Sequence, residues 1–174
     1  MNIKDMRIQK KLLLLVALPL LGLIFFSGES VVEHYIIASQ MSEAQDEGDL
    51  SVHLSHLIHE TQKERGLSAG YLGSKGKEFG SELSAQHSAT NSKIEEVKDY
   101  LKGYDIAHLG DGEAYMKDLL KHMDKISAMR SEVQAQGVPL AEAVTFYTEM
   151  NQDIIHTIDA MVLLSDDHEV TNHL

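Results

Sequence analysis

Glu60 to Leu72 reads E-T-Q-K-E-R-G-L-S-A-G-Y-L, and the way this stretch winds decides what the chain is. At about 100° per residue, Leu50, Leu54, Leu57, Ile58, Thr61, Ser68 and Leu72 share one helical face, and on this wheel Arg65 sits in its middle. A guanidinium cannot lose its charge and carries five donors. On a core-facing stripe it therefore needs a carboxylate, a ring of carbonyls or a bound anion. Thr61 and Ser68 add hydroxyls one turn to either side of it. Gly66, Ala69, Gly70 and Gly73 form a small-residue strip where another backbone can come close.

Downstream, the glycine- and lysine-rich turn from Gly73 to Lys77 closes this helix. A second helix follows to about Lys102, with Phe79, Leu83, His87, Thr90, Ile94, Val97 and Leu101 in steps of three and four. After a loop from Gly103 to Gly110, Asp111 is placed to cap a third helix, whose stripe is Tyr115, Leu119, Met123, Ile126 and Val133 with Arg130 beside it. Gly137 ends that helix and Pro139 suits the first turn of a fourth, which presents Leu140, Val144, Tyr147, Ile154, Ile158, Met161 and Leu164. Short loops and apolar seams predict an all-α fold, an antiparallel four-helix bundle over residues 50–164. The acidic stretch 165–174 loses the period and reads as an incomplete connection.

Upstream, residues 1–11 form a basic segment, with Lys4, Arg7, Lys10 and Lys11 against Asp5, and Leu12 to Gly28 carries no formal charge. As a helix the uncharged run spans roughly 25 Å, which flanking lysines extend to a membrane's hydrocarbon thickness. With no A-x-A-like cleavage site after it, the reading is a retained transmembrane signal anchor over 12–28, tolerant of Pro19. The positive-inside rule then keeps the N-terminus cytoplasmic, on a single pass through a bacterial inner membrane, with the bundle periplasmic. Residues 29–49 continue a helical pattern as a stalk, with Gly48-Asp49 as the candidate break.

Composition narrows the function classes. Two prolines against eight methionines favour helix over sheet, and the absence of cysteine removes disulfide and thiol chemistry. A formal charge of -12, with the few excess positive charges at the N-terminus, argues against nucleic acid as a partner. It also means that a small anion must be won by a local cluster of donors. No phosphate loop, nucleophile elbow or H-E-x-x-H occurs, and Gly73, Gly76 and Gly80 follow no strand, so an enzyme is not expected. His53, His56 and His59 recur every third residue, but they spread around the wheel and read as a solvated face. No metal or other cofactor is called for.

The segment Q-K-E-R-G-L-S-A-G-Y-L, followed by Gly73-Ser74-Lys75-Gly76 and Phe79, resembles the first signature of the nitrate- and nitrite-sensing (NIT) domain family. Gln86 to Asn91 resembles that family's next segment, and Met129-Arg130-Ser131-Glu132-Val133 with Phe146-Tyr147-Thr148 a later one. The sequence departs from the pattern at His87, where arginine is common, and at Asn91, where aspartate is common. The family's second half, with its own glutamate-arginine motif, is absent from it, so the chain reads as the first half of a larger sensor domain, or as one that self-associates as a homodimer. The resemblance implies an all-helical input module, of the kind found in bacterial chemoreceptors, sensor kinases, nucleotide cyclases and RNA-binding antiterminators, that binds nitrate or nitrite between helices.

On that reading Arg65 grips two oxygens of the anion, hydroxyls of Thr61, Ser68 and Tyr147 complete the shell, and Arg130, His87 and Thr90 are secondary candidates. The competing reading is a ligand-free stalk or dimerisation module, in which Arg65 is tied to a carboxylate such as Glu64 or Glu60 of a neighbouring helix or a partner chain.

Overall fold

The computed structural model describes residues 8–171, among which every regular element is helical and no strand occurs. Helix α1 is Ile8–Gly73, α2 is Gly80–Leu101, α3 is Gly112–Gln134 and α4 is Leu140–Thr171. A single 3-10 turn, Ile106–Leu109, lies between α2 and α3. The chain divides into two compact units, Met1–Gln45 and Asp46–Leu174. Most of the basic segment 1–11 and the last three residues of the 165–174 tail lie outside the described residues. The rest of that tail continues α4 as far as Thr171, past Leu164 where the pattern weakens.

Within the first unit, Leu15–Ala38 is helical, has a mean hydropathy of 2.0, and is long and apolar enough to cross a membrane. None of its described residues is buried, and Leu15, Leu21, Leu23, Phe25 and Phe26 are each more than three-fifths exposed. The candidate break at Gly48-Asp49 is not used, because α1 runs unbroken through both residues.

The second unit is built on one apolar core. Leu50, Leu54 and Leu57 of α1 meet Ile94 and Val97 of α2, Met116, Leu119, Met123 and Ile126 of α3, and Tyr147, Met150, Ile154 and Met161 of α4. Leu109 of the 3-10 turn joins them at one end. A smaller cluster of Leu72, Leu83, Val133, Val138 and Ala143 occupies the other end. The three-four spacing of the sequence thus becomes burial, with shifts of one residue. Met116 takes the inward position predicted for Tyr115, which is exposed. Ala143 and Met150 face in, whereas Leu140 is exposed.

Helix ends are set by backbone geometry more than by the expected caps. Asp111 makes no capping bond, and it is Asp105 that caps, its carboxylate accepting from the Ala107 N–H to open the 3-10 turn. At the end of α1 the Gly76 N–H donates to Tyr71 O (2.8 Å) and the Lys75 N–H to Leu72 O (3.0 Å). At the end of α3 the Gly137 N–H reaches Glu132 O (2.9 Å) and the Gln136 N–H reaches Val133 O (3.1 Å). Both are Schellman-type closures with a non-glycine residue, Lys75 or Gln136, in the left-handed region. Gly70 has a packing role: a Cβ there would lie 2.8 Å from the Phe79 ring, so only glycine lets that ring settle on α1.

Candidate functional site

Among the described residues of this domain the buried charges are Glu64 and Arg130, and Glu64 is the more deeply buried. Along α1 the fully buried positions are Leu50, Leu54, Leu57, Thr61, Glu64 and Ser68, an unbroken run of three-four steps that includes Glu64. Arg65, one residue and about 100° further round, is only partly buried. The expectation that Arg65 lies in the middle of the core face is therefore corrected. Counting Ile58 and leaving out Glu64 turns the centre of the wheel toward Arg65.

Arg130 of α3 answers Glu64 with one edge of its guanidinium, bidentately. Its Nε donates to Glu64 Oε1 at 2.7 Å and its Nη2 to Oε2 at 2.8 Å. Nη1 donates to Asn91 Oδ1 at 2.6 Å, and Nη2 also reaches His87 O at 3.5 Å, so the guanidinium is enclosed by acceptors. Tyr147 of α4 donates its hydroxyl to Glu64 Oε1 at 2.7 Å. Burial alone would raise the Glu64 carboxyl, but the Arg130 bonds and charge, helped by Thr90 and Tyr147, hold it below the usual carboxylate value. Burial, and then the adjacent Glu64 charge, push the Tyr147 hydroxyl up, so it stays a donor. Burial also lowers His87, and the pull of Glu64, 3.8 Å from its Nε2, does not make good the loss, so this ring favours the neutral form.

The other hydroxyls line the same core. Thr61 directs its hydroxyl towards Leu57 O (3.1 Å), Ile58 O (3.0 Å) and Asn151 Oδ1. Ser68 Oγ, Thr90 Oγ1, His87 Nε2 and Asn151 Nδ2 are buried without a hydrogen-bond partner. Thr90 is still near enough to Glu64 to favour its charged form, and Ser68 near enough to Tyr147 to lower its hydroxyl's pKa.

Arg65 lies apart from this cluster. Its Nη1 donates to Thr148 Oγ1 of α4 at 3.1 Å, and Thr148 passes its own proton to Val144 O at 2.7 Å. Thr148 is thus purely an acceptor towards Arg65, and the remaining guanidinium donors have no partner among the described residues. Neither carboxylate named for it within the chain holds it: Glu64 is paired with Arg130, and Glu60 with Lys63 (3.0 Å) and Gln86 Nε2 (2.6 Å). The predicted constellation therefore separates into a core set of Thr61, Ser68, Tyr147, Arg130, His87 and Thr90, and an edge set of Arg65 with Thr148. Glu64, Asn91, Asn151 and Thr148 were not singled out from sequence as site residues. For Glu64 a signal existed, because it stands three residues after Thr61 and four before Ser68.

A further polar group joins α3 and α4, where His122 Nδ1 lies 2.8 Å from Asp153 Oδ2 and its Nε2 3.8 Å from Glu149. Among the described residues no three His, Asp or Glu side chains are grouped so as to hold a metal ion. His53 packs against the Tyr100 ring with centroids 5.1 Å apart, whereas His56 and His59 are exposed.

Fold and site together define an all-helical module that holds a buried ion pair between helices and offers a second guanidinium at its edge. The profile of the nitrate and nitrite sensing family, NIT, matches residues 56–174, more than half of the chain, and the chain belongs to that family of sensing modules. Among solved structures it is similar to the NasR transcription antiterminator, with a TM-score of 0.67 and 19% identity. The likeness covers 76% of this chain and 37% of that one, so this chain spans well under half of the longer protein, and at that identity it concerns the fold alone. No curated protein matches the sequence.

Proposed function

We propose that Asp46–Leu174 is an antiparallel four-helix bundle that senses nitrate or nitrite through Arg65, on a chain anchored in a bacterial inner membrane with the bundle in the periplasm. The antiparallel reading rests on pairings that run in opposite directions along neighbouring helices. Gln86 reaches Glu60 while Tyr100 reaches Asp46, and Arg65 reaches Thr148 while Ser51 reaches Met161. The anchor reading rests on the exposed apolar surface of Leu15–Ala38, which a hydrocarbon phase would cover, and on the basic flank before it.

Ligand chemistry rests on one observation, the donors of Arg65 that have no partner among the described residues. A planar oxyanion can take two parallel N–H bonds from a guanidinium edge, and Thr148 holds the opposite side of the group still. Arg130 is the poorer candidate because Glu64 and Asn91 already occupy its donors. Thr61, Ser68 and Tyr147, proposed from sequence as the anion's shell, serve better as the lining of the Glu64 pair. An anion between α1 and α4 draws those helices together and biases a two-state output, since α1 is also the helix that carries the apolar stretch. Nucleic acid is not proposed as a partner, because a net charge of -12 repels a phosphate backbone. The rival, a ligand-free dimerisation module, would require a partner chain's carboxylate on Arg65.

Calorimetric titration of the full chain in detergent with nitrate, nitrite and chloride at fixed ionic strength tests the reading. Arg65→Ala and Arg65→Lys should weaken nitrate binding by roughly ten- to a hundredfold, because each loses the bidentate fork. Equal affinities in wild type and both variants would remove Arg65 as the ligand.

A further inference from the structure

The group that fills the Arg130 fork is a carboxylate, which has the same flat edge, single negative charge and paired oxygens as nitrite, nitrate and formate. Its surroundings have the parts of an oxyanion receptor. Two parallel guanidinium bonds of 2.7 and 2.8 Å meet it, and the Tyr147 hydroxyl adds a third bond of 2.7 Å. Two buried hydroxyls nearby, Ser68 Oγ and Thr90 Oγ1, have no partner of their own. Glu64 is fully buried and Arg130 nearly so, whereas Asn91, which holds the outer side of the guanidinium, lies at the surface. The receptor is therefore built from side chains of all four helices, with Asn91 of α2 on its outer side.

We infer that Arg130, Tyr147, Ser68 and Thr90 form a second oxyanion site whose resident ligand is the chain's own Glu64. The tether makes that carboxylate an intramolecular competitor at an effective concentration of about millimolar or above, so free monoanions do not displace it from a correctly folded chain. Glu64 would thus have two effects. It ties α1 to α3 and α4, and it limits the chain to one external anion by keeping Arg130 out of competition with Arg65. This inference stands independently of the role proposed for Arg65, since it concerns a different guanidinium.

The test is to remove the resident ligand from the full chain in detergent. Glu64→Ala should bind formate, and more weakly the bulkier acetate, with a rise in melting temperature that chloride at equal ionic strength does not give. Because formate can also occupy Arg65, the formate comparisons are made in the Arg65→Ala background, where the otherwise unchanged chain should show no such rise. In that background Glu64→Ala should bind formate, and adding Arg130→Met should weaken the binding at least about tenfold.

With nitrate, Glu64→Ala should take up one more equivalent than wild type. If Arg65 is not a ligand, wild type binds none and Glu64→Ala still binds one, so the two readings fail separately. Glu64→Gln, which fills the space with a neutral amide, should fold and show no formate response. A formate response in Glu64→Gln, a response that survives Arg130→Met, or none in Glu64→Ala would overturn the inference. Should Glu64→Ala fold only in the presence of anion, recovery in formate but not in chloride supports it, and recovery in neither overturns it.

Discussion

Arg130 and Arg65 belong to the same domain and carry the same group, yet they meet opposite surroundings. Arg130 reaches in from α3, has almost no exposure, and gives its donors to Glu64, Asn91 and a backbone carbonyl. Arg65 leaves α1 sideways and gives one donor to a threonine hydroxyl. A cation enclosed by acceptors contributes to stability mainly through what its loss would strand. A cation with open donors contributes little to stability and remains available to a ligand. On the proposed function, structure and reception fall to different arginines of one domain.

The contrast is broken most severely at Arg130. Arg130→Met should cost about 3–5 kcal/mol in chemical denaturation, because Glu64 is left charged and buried. The pH dependence should change sign with it. In wild type the Glu64 carboxyl is depressed below its ordinary 4.5, so its contribution is complete above that value and is lost as pH falls through the lower folded value. His87, depressed below 6.5, acts in the same direction: its contribution is complete above pH 6.5 and is lost as pH falls through its own lower folded value. Without Arg130, burial dominates and raises Glu64, so the variant should lose stability as pH rises above about 4.5. Denaturation of both proteins at several pH values between 4 and 8 reads the difference, and an equal deficit at every pH would contradict the assignment.

Replacing both members sharpens the point with a smaller effect. Glu64→Met with Arg130→Met leaves no stranded charge, so the pair should lie within about 1–2 kcal/mol of wild type and well above Arg130→Met alone. A double variant as unstable as the single would mean that Arg130 acts through packing and not through Glu64.

At the edge the expected stability effects shrink further. Arg65→Ala should alter unfolding free energy by no more than about 0.5 kcal/mol while erasing stabilisation by nitrate. A large loss of apo stability would place Arg65 in a structural role instead. Thr148→Val should change stability least and weaken nitrate binding a few-fold by releasing the guanidinium, whereas Thr148→Ser should keep wild-type affinity. Identical affinities for valine and serine would show that Thr148 does not position Arg65.

Much of the fold was legible in one dimension. Leu83, Thr90, Ile94 and Val97 on α2, or Leu119, Met123 and Ile126 on α3, are buried as their three-four spacing requires, because which face of a helix is apolar is a property of that helix alone. The NIT resemblance was legible for a similar reason, since it rests on a contiguous signature. The choice between Glu64 and Arg65 for the inward position was not local. Neighbours on a helix differ by about 100°, and a wheel that counts Ile58 and leaves out Glu64 drifts by one residue.

Glu64 is held inward by Arg130 and Tyr147, which lie 66 and 83 residues away along the chain and reach it only when α3 and α4 pack against α1. The sequence by itself determined an all-helical domain with an apolar N-terminal stretch, because periodicity and composition act within each segment, while its sensing role came from the contiguous signature that carries the family resemblance. Which charge is buried and which is offered was decided by the tertiary structure, because a buried carboxylate is tolerated only where other helices bring it a cation and a hydroxyl.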